Sequence, residues 1–248
     1  MNGLIPYEYS DRKISPWGGM RLIKELYDRV GMFDKLRSLP LQNPGSAIGV
    51  EHYEIIESFI MSVILGAGNC NNASQISYDE VLKEIKGRPS QSTMSRFFPK
   101  YDQDSSDMIF SDLLSWWFKE MGQNNLTLDI DSTVITRFGN QEGAEKGYNP
   151  KRHGRKSHHP IIAFVAETKM IANAWMRTGD STSATEFKEF LDNTFTMIPR
   201  GQIGLLRGDS GFSGNNVLTD LEQRQLNYII AMPMKSGLVD AILTPHKW

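Results

Sequence analysis

Two aspartates, each at the end of an apolar run typical of a β-strand, are the residues of this sequence best suited to chemistry. Asp131 closes the run that starts at Leu126 and is followed by Ser-Thr, and Asp209 follows Leu205-Leu-Arg-Gly and precedes Ser-Gly-Phe212. Because open α/β sheets gather functional side chains at the carboxyl ends of their strands, we expect the two carboxylates to meet at one edge. Paired carboxylates are hard oxygen ligands for Mg²⁺ or Mn²⁺. The spacing therefore predicts a divalent-metal site at Asp131 and Asp209.

A third aspartate, Asp129, lies two residues before Asp131 and shares its face of the predicted strand. A carboxylate on a buried strand is costly unless a metal, a proton or hydrogen bonds satisfy it. Asp129 is therefore a candidate accessory residue of the site. The alternative is that it caps a turn or forms an ion pair with a neighbour.

A cationic, glycine-rich segment, residues 137–160, leaves directly from the strand that carries Asp131. Its cations are Arg137, Lys146, Lys151, Arg152, Arg155 and Lys156, and its acids are Glu142 and Glu145. We expect a loop whose cations hold a DNA backbone against the metal site, with a solvated charged surface as the alternative. The segment also contains His153, His158 and His159. Without a nearby cysteine or a paired-histidine helix motif, we interpret them as phosphate contacts or surface residues rather than zinc ligands.

A second cationic element lies earlier, in Lys86-Gly-Arg-Pro-Ser-Gln-Ser-Thr-Met-Ser-Arg-Phe97. This pattern predicts a turn, an N-cap at Ser90 and a short helix. Small polar residues with Arg96 on a capped helix suit helix-turn-helix contact with DNA, although many short helices begin this way. Arg88 and Arg96 are the candidate DNA contacts.

The elements that must position these residues change character near Gly122-Gln-Asn-Asn125. Before it, apolar residues recur at helical spacing in four stripes, within residues 22–30, 55–64, 76–85 and 109–117. After it, the pattern predicts three strands (126–135, 160–166 and 170–177), a helix (183–196), a strand (203–206), a helix (215–224) and a strand (228–232). We therefore predict an α/β protein with an all-helical domain over residues 1–122 and a mixed sheet with an antiparallel meander over 123–248.

Composition excludes several classes of protein. The 248-residue chain is 40% hydrophobic and has a net charge of -2, so any surface for nucleic acid must be local. Cys70 is the only cysteine, which rules out an internal disulfide and a multi-cysteine zinc site. The first thirty residues mix charged and apolar positions, unlike a signal peptide, and Ile161–Ala166, a typical apolar run, is far shorter than the roughly 20 residues of a membrane helix. We therefore expect a cytoplasmic protein.

The chain resembles insertion-sequence transposases of the DDE type, specifically the group whose first motif runs Asp-x-Asp-Ser/Ala-Thr. The resemblance is carried by Gln141-Glu-Gly-Ala-Glu-Lys-Gly-Tyr-Asn-Pro150, by Arg207-Gly-Asp-Ser-Gly-Phe212 and by the segment from Arg88 to Phe97. It implies an RNase H-like catalytic domain with helices flanking the sheet. It also implies Asp131 and Asp209 as the first two catalytic acids, with Asp129 beside them.

The same resemblance implies the reaction and the partners. The acids would hold Mg²⁺ or Mn²⁺, cleave phosphodiesters at the ends of a mobile element and transfer the ends into target DNA. The enzyme would act as a homodimer on paired DNA ends.

The sequence departs from the family at the third acid, a glutamate expected on a late helix. Glu222 comes too early for that role, and Asp240 is a surface candidate. We therefore expect a catalytic domain that is incomplete at its C-terminus and has little or no activity by itself.

Two alternatives remain open at this point. One is a phosphatase of the haloacid dehalogenase type, in which Asp129 would be the nucleophile and Asp131 the acid/base of Leu128-Asp-Ile-Asp-Ser-Thr133. The other is a truncated DNA-binding protein without catalysis.

Overall fold

The structure is a computed structural model that describes residues 11, 15–46, 48–76, 79 and 89–244 of the chain. The chain divides into two compact units, Met1–Leu113 and Leu114–Trp248. The domain boundary at residue 122 stays a prediction. No helix in the described ranges has the length and apolar character needed to cross a membrane.

The described part of the first unit consists of helices joined by turns and loops, and no strand lies within it. Its helices are α1 (Met20–Arg29), α2 (Met32–Ser38), α3 (His52–Ile64), α4 (Cys70–Ile76), α5 (Gln91–Phe97) and the first part of α6 (Gln103–Met121). One buried cluster contains Met20, Phe33, Leu36, Leu39, Met61 and Ile109, and a second contains Ile55, Ala73, Met94 and Phe97. Gly31, with φ of 73°, lies between α1 and α2, in the left-handed conformation that glycine adopts without steric cost.

Three of the four predicted helical stripes correspond to α1, α3 and α6. The fourth, within residues 76–85, lies almost entirely outside the described residues, and α4 ends at Ile76. At the start of α6, the Asp102 carboxylate accepts a hydrogen bond from the Ser105 backbone N–H at 3.0 Å, so Asp102 caps the helix.

The second unit is built on a five-stranded mixed sheet. Its elements are β1 (Leu126–Ser132), β5 (Ile161–Val165), β6 (Met170–Trp175), α7 (Phe187–Met197), β7 (Ile203–Gly208), α8 (Asn215–Gln223), β8 (Tyr228–Ile230) and α9 (Ser236–Leu243). The strand order is β6-β5-β1-β7-β8, in which β6, β5 and β1 pair antiparallel and β1, β7 and β8 pair parallel. The predicted α/β class, with helices followed by an RNase H-like mixed sheet and its antiparallel meander, is confirmed.

The core of this unit lies on one face of the sheet. Leu126, Leu128 and Ile130 alternate with polar residues along β1 and are each no more than 3% exposed. They share one apolar cluster with residues of α7 and α8, among them Phe190, Leu191, Val217 and Leu221. Burial of each large side chain stabilises the fold by about 1.5–3 kcal/mol relative to exposure. This packing fixes the position and direction of β1 and β7, the strands that carry or precede the two aspartates.

The segment predicted as a loop contains regular structure. β2 (Ile135–Thr136), β3 (Glu145–Lys146) and β4 (Lys156–His158) form a separate three-stranded sheet in the order β2-β4-β3. We call residues 135–158 the ribbon. Strands of two or three residues show no apolar periodicity, so the pattern could not reveal them.

The predicted helix from Ser183 begins later than expected, at Phe187. The Arg177 side chain donates hydrogen bonds to the backbone carbonyls of Ser183 and Thr185, and these bonds keep the two residues in a turn. Glu186, the N-cap of α7, has a left-handed backbone with φ of 55°.

Candidate active site

The sheet brings Asp131 and Asp209 to neighbouring strand ends. β1 and β7 are parallel, with Asp129 opposite Arg207 and Ile130 opposite Gly208. The next residue after each member of this last pair is a candidate acid. Asp131 therefore lies near the end of β1 and Asp209 directly after β7, on neighbouring strands spaced about 4.8 Å apart. Both residues are exposed. The convergence predicted from the two apolar runs therefore agrees with the strand register.

The two acids also share a side of the sheet. Asp129 and Arg207 point to the same side, because their side chains form an ion pair. Asp131 and Asp209 each lie two residues further along, and Asp209 keeps an extended backbone with φ of -80° and ψ of -177°. Side chains two residues apart on an extended chain lie on one side.

Each acid uses one carboxylate oxygen locally. Oδ1 of Asp131 accepts a hydrogen bond from the Ser132 backbone N–H at 2.7 Å. Oδ1 of Asp209 accepts one from the Gly211 backbone N–H at 2.9 Å and caps the short turn Ser210–Phe212. Neither Oδ2 accepts a hydrogen bond from the part of the chain that the structure describes.

This donor set fits a hard divalent cation. Mg²⁺ is commonly held by one or two carboxylates and completes its coordination with water or substrate phosphate. Within the described residues, no group of three or more histidine, cysteine, aspartate or glutamate side chains is placed to hold a metal. A third protein ligand of these types is therefore not found among them.

Asp129 forms an ion pair, as its alternative interpretation proposed. Its Oδ1 and Oδ2 accept hydrogen bonds from Nε and Nη2 of Arg207, each at 2.6 Å. The hydrogen bonds to Asp129 raise the pKa of the Arg207 guanidinium. With both oxygens held in this way, Asp129 is poorly placed to act as the nucleophile of a phosphatase.

Ser183 connects the two strand ends, and sequence reasoning did not single it out. The Ser132 hydroxyl, next to Asp131, donates a hydrogen bond to Oγ of Ser183 at 2.8 Å. On the other side, a Cβ added to Gly211 would lie 2.5 Å from the same Oγ, so the turn after Asp209 approaches Ser183 closely. One hydroxyl thus contacts the segments that follow both candidate acids. Its only signal in the sequence is a cluster of small hydroxyl residues, Ser181-Thr-Ser-Ala-Thr185, which is also typical of an ordinary turn.

A buried arginine, Arg177, anchors the Ser183 turn. It is 4% exposed, and it donates hydrogen bonds from Nε to the His159 carbonyl at 3.0 Å and from Nη1 to the carbonyls of Ser183, at 3.3 Å, and Thr185. Burial lowers the pKa of its guanidinium. Nη2 is buried without a hydrogen-bond partner among the described residues. An arginine at the end of an apolar strand is usually a surface residue, so its residue type does not reveal this anchor.

The predicted DNA contacts of the ribbon lie on its surface. Lys146, Lys151, Arg152 and Arg155 are exposed, and Lys156 is half-buried on β4. The buried side chain of Asn149 holds the ribbon together, because Nδ2 donates to Thr136 Oγ1 at 3.0 Å and Oδ1 accepts from the Arg152 backbone N–H at 2.9 Å.

Two of the three histidines are structural, which corrects their interpretation as phosphate contacts or surface residues. His158 accepts a hydrogen bond from Arg137 Nε at Nδ1 and donates from Nε2 to the Glu142 carbonyl, both at 2.8 Å. His159 donates from Nδ1 to the Ser181 carbonyl at 2.5 Å. Both rings are buried, and each forms hydrogen bonds with backbone or side-chain groups inside the fold. His153 is exposed.

The cationic helix of the first unit forms as predicted. Ser90 caps α5, and its Oγ accepts a hydrogen bond from the Thr93 backbone N–H at 3.2 Å. Arg96 is exposed, and its Nε donates to the Ser92 carbonyl at 3.1 Å. Arg88 lies outside the described residues.

Comparison with known proteins gives one family and several distant structures. The model of the family described as transposase DDE domain, group 1, matches residues 5–247. The piggyBac transposase synaptic complex with hairpin DNA is similar at 11% identity with a TM-score of 0.43, over 92% of this chain and 52% of that chain. The Drosophila P element transposase strand transfer complex is similar at 12% identity with a TM-score of 0.42, over 85% of this chain and 47% of that chain.

The Mos1 mariner paired end complex with Mn is similar at 12% identity with a TM-score of 0.30, over 90% of this chain and 77% of that chain. This chain thus spans about half the length of the piggyBac and P element chains. No curated protein matches it.

The family match, in contrast, covers nearly the whole chain and includes both candidate acids. It agrees with the resemblance read from the motifs around Asp131, Asp209 and the ribbon. The chain belongs to the family of DDE transposase domains, group 1.

Proposed function

We propose that this protein is a DNA transposase that cleaves phosphodiesters at element ends and transfers those ends into target DNA. Asp131 and Asp209 hold Mg²⁺ or Mn²⁺, and the cations of the ribbon and of the segment from Arg88 to Arg96 contact the DNA backbone. The observation that carries the proposal is the parallel register of β1 and β7, which supports placing the two acids side by side at one edge of the sheet.

Each side chain of the site has a separate task. Asp131 and Asp209 supply negative oxygens for the cation. Asp129 neutralises Arg207 and holds β1 against β7. The ribbon cations hold the scissile strand by its phosphates. When bound, the divalent ion activates the attacking oxygen and stabilises the leaving oxygen.

Metal binding tests the acid assignment without requiring turnover. We expect Mn²⁺ affinity, measured by electron paramagnetic resonance titration, to fall about tenfold or more in Asp131→Asn and in Asp209→Asn. Each change removes a charged ligand, and loss of even an outer-shell partner typically lowers metal affinity by about tenfold or more. Asp240→Asn is the matched control, since Asp240 is an exposed acid on α9. Equal Mn²⁺ affinity in Asp131→Asn and the unchanged protein would overturn the assignment, as would an equal loss in Asp240→Asn.

A second candidate function, DNA binding without cleavage, is favoured by one observation. No third metal-binding side chain of the types found in such sites joins the two acids within the described ranges. Incubation with element-end DNA and Mn²⁺ separates the two functions. Strand cleavage that Asp131→Asn abolishes supports the transposase, whereas a salt-dependent gel shift without cleavage supports the binding protein. Action as a homodimer on paired ends belongs to the same proposal.

A further inference from the structure

The ribbon exposes two aromatic rings among its cations. Phe138 is 66% exposed and Tyr148 is 71% exposed. Single exposed apolar side chains are ordinary on protein surfaces. Here, two aromatic residues lie within one short ribbon that also exposes Lys146, Lys151, Arg152 and Arg155. Contact with phosphates explains the cations, but it leaves the aromatic rings unexplained.

Strand pairing and a buried side chain fix the backbone next to Phe138 and Tyr148. Phe138 follows β2 and Tyr148 follows β3, the two outer strands on either side of β4. Next to Tyr148, the buried side chain of Asn149 bonds to Thr136 and to the Arg152 backbone. A Cβ on Gly147 would overlap the backbone of Gly179 and Asp180. These contacts hold the backbone that carries the aromatic residues before any ligand binds, which reduces the entropic cost of binding.

A cation accompanies the first ring. The guanidinium carbon of Arg155 lies 5.7 Å from the centre of the Phe138 ring, within the range of a cation–π interaction. An aromatic ring beside a guanidinium offers flat surfaces on which a nucleobase can stack. Stacking requires a free face of the base, which a base inside a duplex does not present.

We propose that the ribbon binds DNA with unpaired bases, which stack on Phe138 and Tyr148 while Lys146, Lys151 and Arg152 contact the adjoining phosphates. The ligand is thus a DNA end or junction with a single-stranded part rather than a continuous duplex. This inference rests on the proposed function, because it assumes that DNA occupies the ribbon. It adds a preference for DNA structure that the cations cannot produce, since phosphates occur in both forms.

Fluorescence anisotropy with two labelled probes tests the preference: a blunt duplex, and the same duplex with a short single-stranded overhang. The unchanged protein should bind the overhang probe more tightly. Phe138→Ala and Tyr148→Ala should each weaken binding of the overhang probe about tenfold, because stacking contributes about 1–3 kcal/mol per base. Neither change should alter binding of the blunt duplex. Tyr148→Phe keeps the ring and should retain the preference, which separates stacking from a folding defect.

Two further variants complete the design. Lys151→Ala should weaken binding of both probes by the same factor, because it removes a phosphate contact. Phe110→Ala, which removes a 60% exposed aromatic residue on α6, should change neither affinity. If both probes bind equally to the unchanged protein, or if the aromatic variants weaken both probes equally, the stacking proposal is wrong while DNA binding stands. If the protein binds neither probe, or if Lys151→Ala has no effect, DNA contact by the ribbon fails and the stacking proposal fails with it.

Discussion

The candidate site depends on side chains that touch no metal or substrate in our proposal. Ser183 contacts the segments after both acids, and Arg177 fixes Ser183 through backbone carbonyls. Residue types predicted the two candidate acids, because each aspartate comes at the end of an apolar, strand-like run. They could not identify Arg177, since its role comes from burial and from three carbonyl oxygens that only the folded chain brings together.

Removal of the Arg177 guanidinium should destabilise the second unit. Arg177→Met keeps much of the side-chain length but leaves the carbonyls of His159, Ser183 and Thr185 without their donor. Because a buried polar group without a partner costs about 1–3 kcal/mol, we expect the free energy of unfolding in urea to fall by at least about 2 kcal/mol. Arg200→Met, at an exposed arginine, should change it by less than about 0.5 kcal/mol. Similar losses in both variants would contradict the anchoring role.

At the scale of elements, the sequence predicted the main sheet well and the ribbon poorly. β1 alternates apolar and polar residues, and β5, β6 and β7 each carry a short, mainly apolar run, which are patterns typical of strands. The ribbon is held instead by short ladders, a buried asparagine and close contacts between backbones. These features have no periodic pattern, and so residues 137–160 resembled an irregular loop.

Close backbone contact at Gly179 should be essential for the ribbon. A Cβ at this position would overlap the carbonyl oxygens of Ser157 and Glu145, which belong to β4 and β3. We expect Gly179→Ala to displace these strands and to accelerate trypsin cleavage after the ribbon lysines and arginines, with the five-stranded sheet retained. Gly201→Ala is the control, because no atom lies within 4 Å of an added Cβ there. Cleavage of Gly179→Ala at the control rate would show that the ribbon does not depend on this contact.

At the scale of the whole molecule, the net charge does not reveal how the charges are distributed over the surface. The net charge is -2, yet the ribbon concentrates exposed cations beside the proposed metal site. The prediction that a nucleic-acid surface must be local follows from the net charge alone. Its position beside both candidate acids required the fold, because only the strand register shows that β1 and β7 are neighbours.

The stability of the first unit should depend on pH through His52, which is 2% exposed. Lys100 Nζ donates to Nε2 of His52 at 3.2 Å, so Nδ1 carries the proton and donates to the Tyr101 hydroxyl at 2.7 Å. Burial, and then the charge of Lys100, lower the pKa of His52 below its usual 6.5. Below pH 6.5 the unfolded chain therefore binds a proton that the folded chain does not, and stability falls as the pH falls.

Urea unfolding of the unchanged protein and of His52→Gln across a pH series measures this effect. The difference between their unfolding free energies should be constant above pH 6.5. Below pH 6.5, the free energy of unfolding of the unchanged protein should fall by up to about 1.4 kcal/mol per pH unit more than that of the variant. This difference should stop growing once the pH reaches the pKa of folded His52. Parallel curves throughout the series would show that His52 does not titrate differently in the two states.

The anchor at Arg177 has a consequence for how this part of the chain tolerates change. Its guanidinium recognises main-chain oxygens, which every amino acid possesses, and is indifferent to the side chains of the residues that supply them. The turn before α7 can therefore accept substitutions at the exposed Thr182 while its course stays the same, because the Thr182 backbone N–H also donates a hydrogen bond to Thr185 Oγ1. Variation there would alter the chemical lining beside the acids without moving the acids themselves.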